Sequence, residues 1–231
     1  MKPFKFKQFE IHQSSAVFRV GTDGVLLGVL ANVSQANNVL EVGTGTGLIS
    51  LMLAQRNSGA YFLGVEINEE AVHLTRLNFE NSPFSVRLKN ILQDFKAFET
   101  AEKFDLIVSN PPYFEGNPSS KDIIARQTIE LNFAELISKS AKLLSENGIF
   151  SVIIPNDVEI VFIGIAQQNQ LFLNRKINIY GIQNSKIKRL VLEFSLQQNV
   201  LEECDFVIEK SPRKYSDQYL EFTKEFHVFK G

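Results

Sequence analysis

Apolar residues along this chain follow two alternating rhythms. Short, largely apolar runs read as buried strands, at Asn38–Val42, Tyr61–Glu66, Phe104–Ser109 and residues 148–154, the last stopped by Pro155. A shorter strand is expected at residues 86–88. Between these runs lie helical segments at residues 48–55, 69–78 and 158–167. Phe133, Leu136, Ile137, Ser140, Ala141 and Leu144 also share one helical face. Strands alternating with helices imply βαβ units and a mostly parallel sheet. The rhythm changes near the end, where Leu190, Leu192, Phe194 and Leu196 alternate with Arg189, Val191, Glu193 and Ser195. Period two with one more polar face predicts an antiparallel strand. Residues 171–180 are its expected partner, joined across residues 181–186. The expected class is therefore α/β, with a mostly parallel sheet and an antiparallel C-terminal hairpin. No linker divides the chain, so residues 1–231 are expected to form a single domain, with 1–35 an N-terminal segment and 36–231 the core.

Composition narrows the setting. The chain has 231 residues, 44% hydrophobic and 22% charged, a length and balance suited to one large globular α/β domain. A single cysteine, Cys204, excludes an internal disulfide and a Cys-cluster zinc site, which points to a reducing compartment. The first residues, Met1 to Lys7, contain no apolar signal core, and no stretch approaches the ~20 apolar residues of a membrane span. A cytoplasmic protein with no membrane association is expected. His12, His73 and His227 form no cluster in sequence and read as structural or surface residues, so no metal is expected. Net charge is −2, distributed as +2 over residues 1–30, −6 over 31–169 and +2 over 170–231. The basic clusters Lys186-Ile187-Lys188-Arg189 and Lys210, Arg213, Lys214 suit either a solvated surface or a phosphate backbone.

Candidate chemistry begins at Glu41-Val42-Gly43-Thr44-Gly45-Thr46-Gly47, between the first core strand and the next helix. Glycines there permit positive φ and close backbone approach to a ligand. The spacing is G-x-G-x-G, unlike the G-x-G-x-x-G that cradles a pyrophosphate. Glu41 suits an α-ammonium group better than a phosphate. Glu66 ends the second strand, nineteen residues after Gly47, where an acid typically binds ribose hydroxyls. Asp94 follows the third strand and is placed for an adenine amine, or alternatively to cap a turn. Together these groups fit S-adenosyl-L-methionine, with its amino acid over the glycines, ribose on Glu66 and adenine near Asp94.

The motif Asn110-Pro111-Pro112-Tyr113 follows the apolar strand 104–109. Taken alone it is either a proline turn or a binding element. Asn110 offers an amide oxygen, Pro111 a carbonyl acceptor, and Tyr113 a flat ring. Two acceptors beside a stacking surface suit a planar group bearing an –NH2. The segment 114–121, with Gly116-Asn117-Pro118-Ser119-Ser120, is a candidate substrate lid.

Taken together, Glu41 to Gly47, Glu66, Asp94 and Phe104 to Tyr113 resemble the class I S-adenosylmethionine-dependent methyltransferases that carry an Asn-Pro-Pro-Tyr motif. More narrowly, Phe6-Lys7-Gln8-Phe9, Val20 to Gly28, Ala54-Gln55-Arg56, Ser82-Pro83, Asn110 to Phe114 and Ala125-Arg126 resemble the bacterial tRNA1(Val) adenine-N6 methyltransferase family. The resemblance implies a Rossmann-like sheet of about seven strands. It also implies an N-terminal segment folded over the cofactor's methionine end, bringing in Thr22 and Asp23 as cofactor-site residues; Thr22 or Asp23 alternatively caps a helix beginning near Gly24. The implied substrate is the adenine just 3′ of the anticodon in a valine tRNA.

The catalytic residues carried over are Asn110, Pro111, Pro112 and Tyr113. The Asn110 amide oxygen and the Pro111 carbonyl would accept both hydrogens of the adenine amine, holding a nitrogen whose lone pair is otherwise conjugated into the ring. Tyr113 would stack on the base and Pro112 would set the loop. Arg126, Lys186, Lys188 and Arg189 are candidate phosphate contacts. Rival readings are methylation of another planar amine (DNA adenine, ribosomal RNA guanine or a release-factor glutamine), an NAD-binding oxidoreductase, and a catalytically silent RNA-binding module.

Overall fold

The structure, a computed structural model, describes residues 1–14, 20–112 and 122–227, the stretch 122–132 by its backbone alone. In chain order the elements are β1 (Phe4–Lys5), β2 (Glu10–Ile11), α1 (Thr22–Leu30), β3 (Asn38–Val42), α2 (Leu48–Arg56), β4 (Tyr61–Glu66), α3 (Glu69–Glu80), β5 (Leu88–Leu92), β6 (Phe104–Ser109), α4 (Asp122–Leu143), β7 (Leu144–Pro155), α5 (Glu159–Gln168), β8 (Phe172–Ile182), β9 (Ile187–Ser195), β10 (Glu202–Ser211), β11 (Lys214–Tyr215) and α6 (Asp217–Thr223). Strands β1 and β2 form a small antiparallel hairpin. Among the described residues the remaining nine strands make one sheet in the order β11-β10-β8-β9-β7-β6-β3-β4-β5.

The apolar runs arise because the central strands are covered on both faces. Val39, Leu106, Val108 and Ile153 face one apolar cluster, built with α1, α2 and Phe79 of α3. Their neighbours Leu40, Ile107, Val152 and Ile154 face the other, built with α4 and α5. Consecutive strand residues thus alternate between two cores, so both faces of each strand read as largely apolar. Phenylalanine supplies the bulk in a chain without tryptophan. Phe162 lies edge-on to Phe133 at 5.0 Å between centroids and 5.9 Å from Phe194. Each fully buried ring contributes about 1.5–3 kcal/mol through area removed from water.

The antiparallel hairpin at the C-terminal side is present: β9 runs antiparallel to both β7 and β8. Three expectations need correction. The strand expected at residues 86–88 is displaced, because Ser85–Arg87 form a 3-10 turn and β5 occupies Leu88–Leu92. The helix expected near Gly24 starts at Thr22. The sheet exceeds seven strands because β10 adds to β8 in parallel and β11 closes on β10. β10 is polar in sequence and exposed along its first half, so its strand character does not show as an apolar run. Phe206 anchors it, with ring centroids 6.5 Å from Tyr219 and 5.5 Å from Phe222 on α6.

Candidate active site

Strands β3, β4, β5, β6 and β7 are mutually parallel, so their carboxyl ends share one edge. The chain order reverses beside β3, with β4 and β5 on one side and β6 and β7 on the other. Such a reversal opens a crevice at the strand ends, where open α/β sheets bind ligands. The glycine loop, Glu66, Asp94 and Asn110 all follow these strand ends. Backbone bonds pin the edge: Gly43 N–H donates to Val65 O at 2.9 Å, and Gln93 N–H donates to Glu66 O at 2.8 Å. The Ser109 hydroxyl donates to Val42 O at 2.9 Å, tying the strand before Asn110 to the strand before the glycine loop.

The three loop glycines divide into two kinds. Gly43 and Gly45 have φ of +75° and +58°, and a Cβ at either position would meet nothing within 4 Å. Gly47 has φ +80°, but a Cβ there would lie 2.5 Å from a Phe79 ring carbon. The first two therefore face open space and the third is required by packing. Thr44 turns inward: it is buried, and its Oγ1 would meet a Cβ at Gly64 at 2.4 Å. Thr44 therefore has only its backbone to offer a ligand, because the close approach to Gly64 draws its side chain into the sheet.

Glu41 is 1% exposed. Its Oε2 accepts the Ser50 backbone N–H at 3.0 Å and also the Ser50 hydroxyl, so the carboxyl braces the first turn of α2. Burial pushes its pKa up to about 8, opposed by the two Ser50 bonds, with nearby Glu66 pushing the same way as burial. The Glu66 carboxylate accepts Gly45 N–H on Oε2 and the Ile67 and Asn68 N–H groups on Oε1, each at 2.9 Å. A carboxylate has about four acceptor positions, so Glu66 keeps capacity for one more donor. Asp94 Oδ1 accepts Lys96 N–H at 2.9 Å and caps a short 3-10 turn, while the residue stays half-buried.

Asn110 is half-buried, Pro111 is buried and Pro112 is exposed. Among the described residues no hydrogen bond engages the Asn110 amide. Tyr113 and the expected lid 114–121 lie outside the described residues, as does the side chain of Arg126. Thr22 is exposed at the start of α1, where Gly21 is the N-cap and no side chain caps the helix. The expectation that Thr22 or Asp23 caps α1 does not hold. Asp23 instead meets Arg189 on β9, with Nε 2.9 Å from Oδ2. Arg189 is therefore committed to an ion pair joining α1 to the sheet, which corrects its reading as a phosphate contact.

Sequence reasoning missed the groups that hold the loop from behind. The Thr75 hydroxyl donates to Gly45 O at 2.8 Å. The buried Asn78 amide donates to Thr46 O at 2.9 Å and to His12 O at 3.1 Å, and accepts from His12 N–H at 2.8 Å. Asn78 thus joins the N-terminal segment to the glycine loop. The available signal was the shared face of Thr75, Asn78 and Phe79 on α3, where a buried Thr and Asn are out of place in a purely packing stripe.

The residues present fit an amino acid–nucleoside cofactor. Gly43 and Gly45 face open space, a buried carboxyl stands two residues before Gly43, and a carboxylate with spare acceptor capacity stands on the adjacent strand. Among the described residues, no group of three or more His, Cys, Asp or Glu could hold a metal ion, and no helix is long and apolar enough to cross a membrane.

A glycine loop, a strand-end acid and an Asn-Pro-Pro turn at the switch point of such a sheet define a Rossmann-like methyltransferase. Residues 9–170 match the family model for the methyltransferase small domain. A protein of Flavobacteriaceae bacterium strain 3519-10, named tRNA1(Val) (adenine(37)-N6)-methyltransferase, is 53% identical over 99% of this chain and 100% of its own length. A protein of the same name from Phocaeicola vulgatus is 42% identical, with 97% of each chain covered. The chain belongs to the methyltransferase small domain family and, within it, to the family of these tRNA1(Val) (adenine(37)-N6)-methyltransferases. The fold matches the crystal structure of a predicted O-methyltransferase from Agrobacterium tumefaciens with a TM-score of 0.71 at 16% identity, covering 88% of this chain and 96% of that one.

Proposed function

We propose that this chain transfers a methyl group from S-adenosylmethionine to the N6 amine of adenine in the anticodon loop of a tRNA, at the nucleotide 3′ of the anticodon in valine tRNA. The observation that carries the reaction type is adjacency: the open glycine loop after β3 and Asn110 after β6 stand on neighbouring strand ends tied by the Ser109–Val42 bond. The choice of nucleotide rests on the name of relatives that match end to end. The whole chain acts as one methyltransferase domain, with residues 1–35 laid over the cofactor site; the bonds of Asn78 to His12 and to Thr46 support that arrangement.

The cofactor supplies an electrophilic methyl group when bound. The chain's own residues supply position and polarity. The Gly43 and Gly45 backbone offers close approach, Glu41 a carboxylate for an ammonium, Glu66 an acceptor for ribose hydroxyls, and the free oxygen of Asp94 an acceptor for an adenine amine. Thr22 and Asp23 border the methionine end of the cofactor, and the Asp23–Arg189 pair holds the start of α1 against the sheet. The Asn110 amide oxygen and the Pro111 carbonyl accept the two hydrogens of the target amine. Their dipoles favour a pyramidal nitrogen and stabilise positive charge as it develops there. Pro112 fixes the turn, and Tyr113 stacks on the base, worth ~1–3 kcal/mol. No side chain need remove a proton beforehand, because the amine becomes acidic only once it carries the fourth bond. The target base must leave its stack, at less cost in a single-stranded loop than in a duplex.

The test is methyl transfer from labelled S-adenosylmethionine to unmodified tRNA, ribosomal RNA, DNA and release factor in parallel, with nucleoside products identified by mass spectrometry. N6-methyladenosine in tRNA alone, and in purified valine tRNA, is the expected result. Label confined to another pool would overturn the substrate while leaving the reaction type.

A further inference from the structure

The β10–β11 extension lies at the same sheet edge as Asn110. β10 is parallel to β8, and β8 and β7 are both antiparallel to β9, so β6, β7, β8 and β10 all end at this edge. The turn after β8 carries Lys186, with Lys188 just inside β9; the turn after β10 carries Arg213, flanked by Lys210 and Lys214. Gln183 N–H donates to Glu209 O at 2.9 Å and joins the two turns into one rim. All five cations are exposed. Among the described residues only Lys210 has a carboxylate partner, Asp217 at 3.1 Å, itself exposed. Glu209, the other acid on the rim, is drawn toward the backbone, accepting Arg213 N–H at 3.1 Å. That bond holds a turn in which Arg213 takes φ +64°, a conformation a non-glycine residue adopts at some cost. The turn is thus fixed, and it presents charge outward at a distance from the acid that anchors it.

We propose that this rim is a phosphate-binding surface for the RNA that presents the target base, and specifically for the stem flanking its loop. The assignment rests on the reading that the substrate is an RNA. Four strand spacings separate β6 from β10. At about 4.8 Å each, the β10–β11 turn lies roughly 19 Å from Asn110, and the β8–β9 turn, two to three spacings out, roughly 10–14 Å. A nucleic-acid strand advances ~3.4 Å per nucleotide along a helix axis, so the inner turn lies about three or four nucleotides out and the outer turn about five or six. Both turns therefore lie beyond the target base itself, along the path of the backbone that runs from the loop into its stem. Five cations that neutralise phosphates, read without base contacts, supply affinity rather than sequence choice.

The test is direct binding of a fluorescent tRNA transcript, followed by anisotropy at several salt concentrations and independent of turnover. Two variants are compared with the wild type: Lys210→Ala/Arg213→Ala/Lys214→Ala and Lys186→Ala/Lys188→Ala. Lys103→Ala/Lys142→Ala, at the opposite edge of the sheet, serves as control. Each rim variant is expected to weaken tRNA binding about tenfold or more near physiological salt and to lower the slope of log K against log salt by roughly one for each phosphate no longer neutralised. The control should match the wild type, and S-adenosylhomocysteine affinity and thermal midpoint should be unchanged in all. Unchanged Kd and slope in both rim variants would overturn the assignment, as would a wild type that does not bind tRNA. Equal loss for a duplex DNA that binds as well as tRNA would make the surface a general duplex binder and overturn the RNA assignment. Methyl transfer is measured separately: binding that depends on the rim without methylation of tRNA sinks the proposed function and leaves the rim standing, and the converse sinks only the rim.

Discussion

Gly43→Ala and Gly47→Ala separate the two jobs of the glycine loop. Both residues have positive φ, +75° and +80°, so alanine at either incurs a left-handed backbone cost of about 1–2 kcal/mol. At Gly47 the new Cβ also falls 2.5 Å from a Phe79 ring carbon and 3.1 Å from Thr75 Cγ2. Phe79 is buried and cannot swing aside, so overpacking adds about 1–3 kcal/mol. Gly47→Ala should therefore lose roughly 2–5 kcal/mol and Gly43→Ala only ~1–2. For a chain of this size that is about 2–4 °C of thermal midpoint per kcal/mol. The ligand effect runs the other way. Saturating S-adenosylhomocysteine at about 100 times its Kd should stabilise the wild type by ~2.7 kcal/mol. Gly43→Ala projects a methyl into the space the ligand needs and should lose most of that gain. Urea unfolding with and without S-adenosylhomocysteine reads both quantities. If Gly47→Ala unfolds no more easily than Gly43→Ala, or if Gly43→Ala keeps the full ligand gain, the division is wrong.

Asn110→Ala should lower kcat about 10²–10³-fold while S-adenosylhomocysteine still binds, as isothermal titration can show; equal loss of binding would remove its assigned role. Glu41 titrates in the folded protein near pH 8, above its ordinary value of 4.5, so the folded state holds the extra proton between those values. Its contribution to stability is full below about 4.5 and is lost as pH rises through about 8, which urea unfolding across that range should reveal and Glu41→Gln should flatten. An ammonium group beside Glu41 favours the carboxylate, so S-adenosylhomocysteine binding at pH 7 should release a proton; titration in buffers of different ionisation enthalpy would show none if Glu41 does not face that group. Arg189→Ala should cost about 2 kcal/mol by removing the Arg189 cation from the partly buried Asp23, and should leave the tRNA salt dependence unchanged, unlike the rim lysines.

The central sheet was legible because its strands are covered twice. Val39 and Leu40, or Ile107 and Val108, are apolar for different cores, and the largely apolar run marks the strand with sharp ends. The bounds of β3, β4 and β6 accordingly agree residue for residue with the runs in the sequence. β10 was illegible for the opposite reason. It lies near the sheet's edge with its first four residues exposed, so its sequence, Glu-Glu-Cys-Asp followed by Phe-Val-Ile, carries only a short apolar signal. Pairing with β8 and the cover of α6 make it a strand, and neither partner is visible locally.

The site divides along the same line. Glycines, strand-end acids and Asn-Pro-Pro are legible because each needs a particular residue type at a fixed distance from a strand. What the sequence cannot express is which face a residue turns to. Thr44 stands in the middle of the glycine loop and points into the sheet, while Asn78, more than thirty positions from Gly45, holds that loop through Thr46. Asp23 and Arg189 are each plausible ligand contacts taken alone, yet 166 positions apart they neutralise one another. A charge in sequence is therefore only an offer. At this edge Lys186, Lys188, Arg213 and Lys214 have no carboxylate partner among the described residues, and the last two stand on the strand extension that the apolar pattern did not reveal.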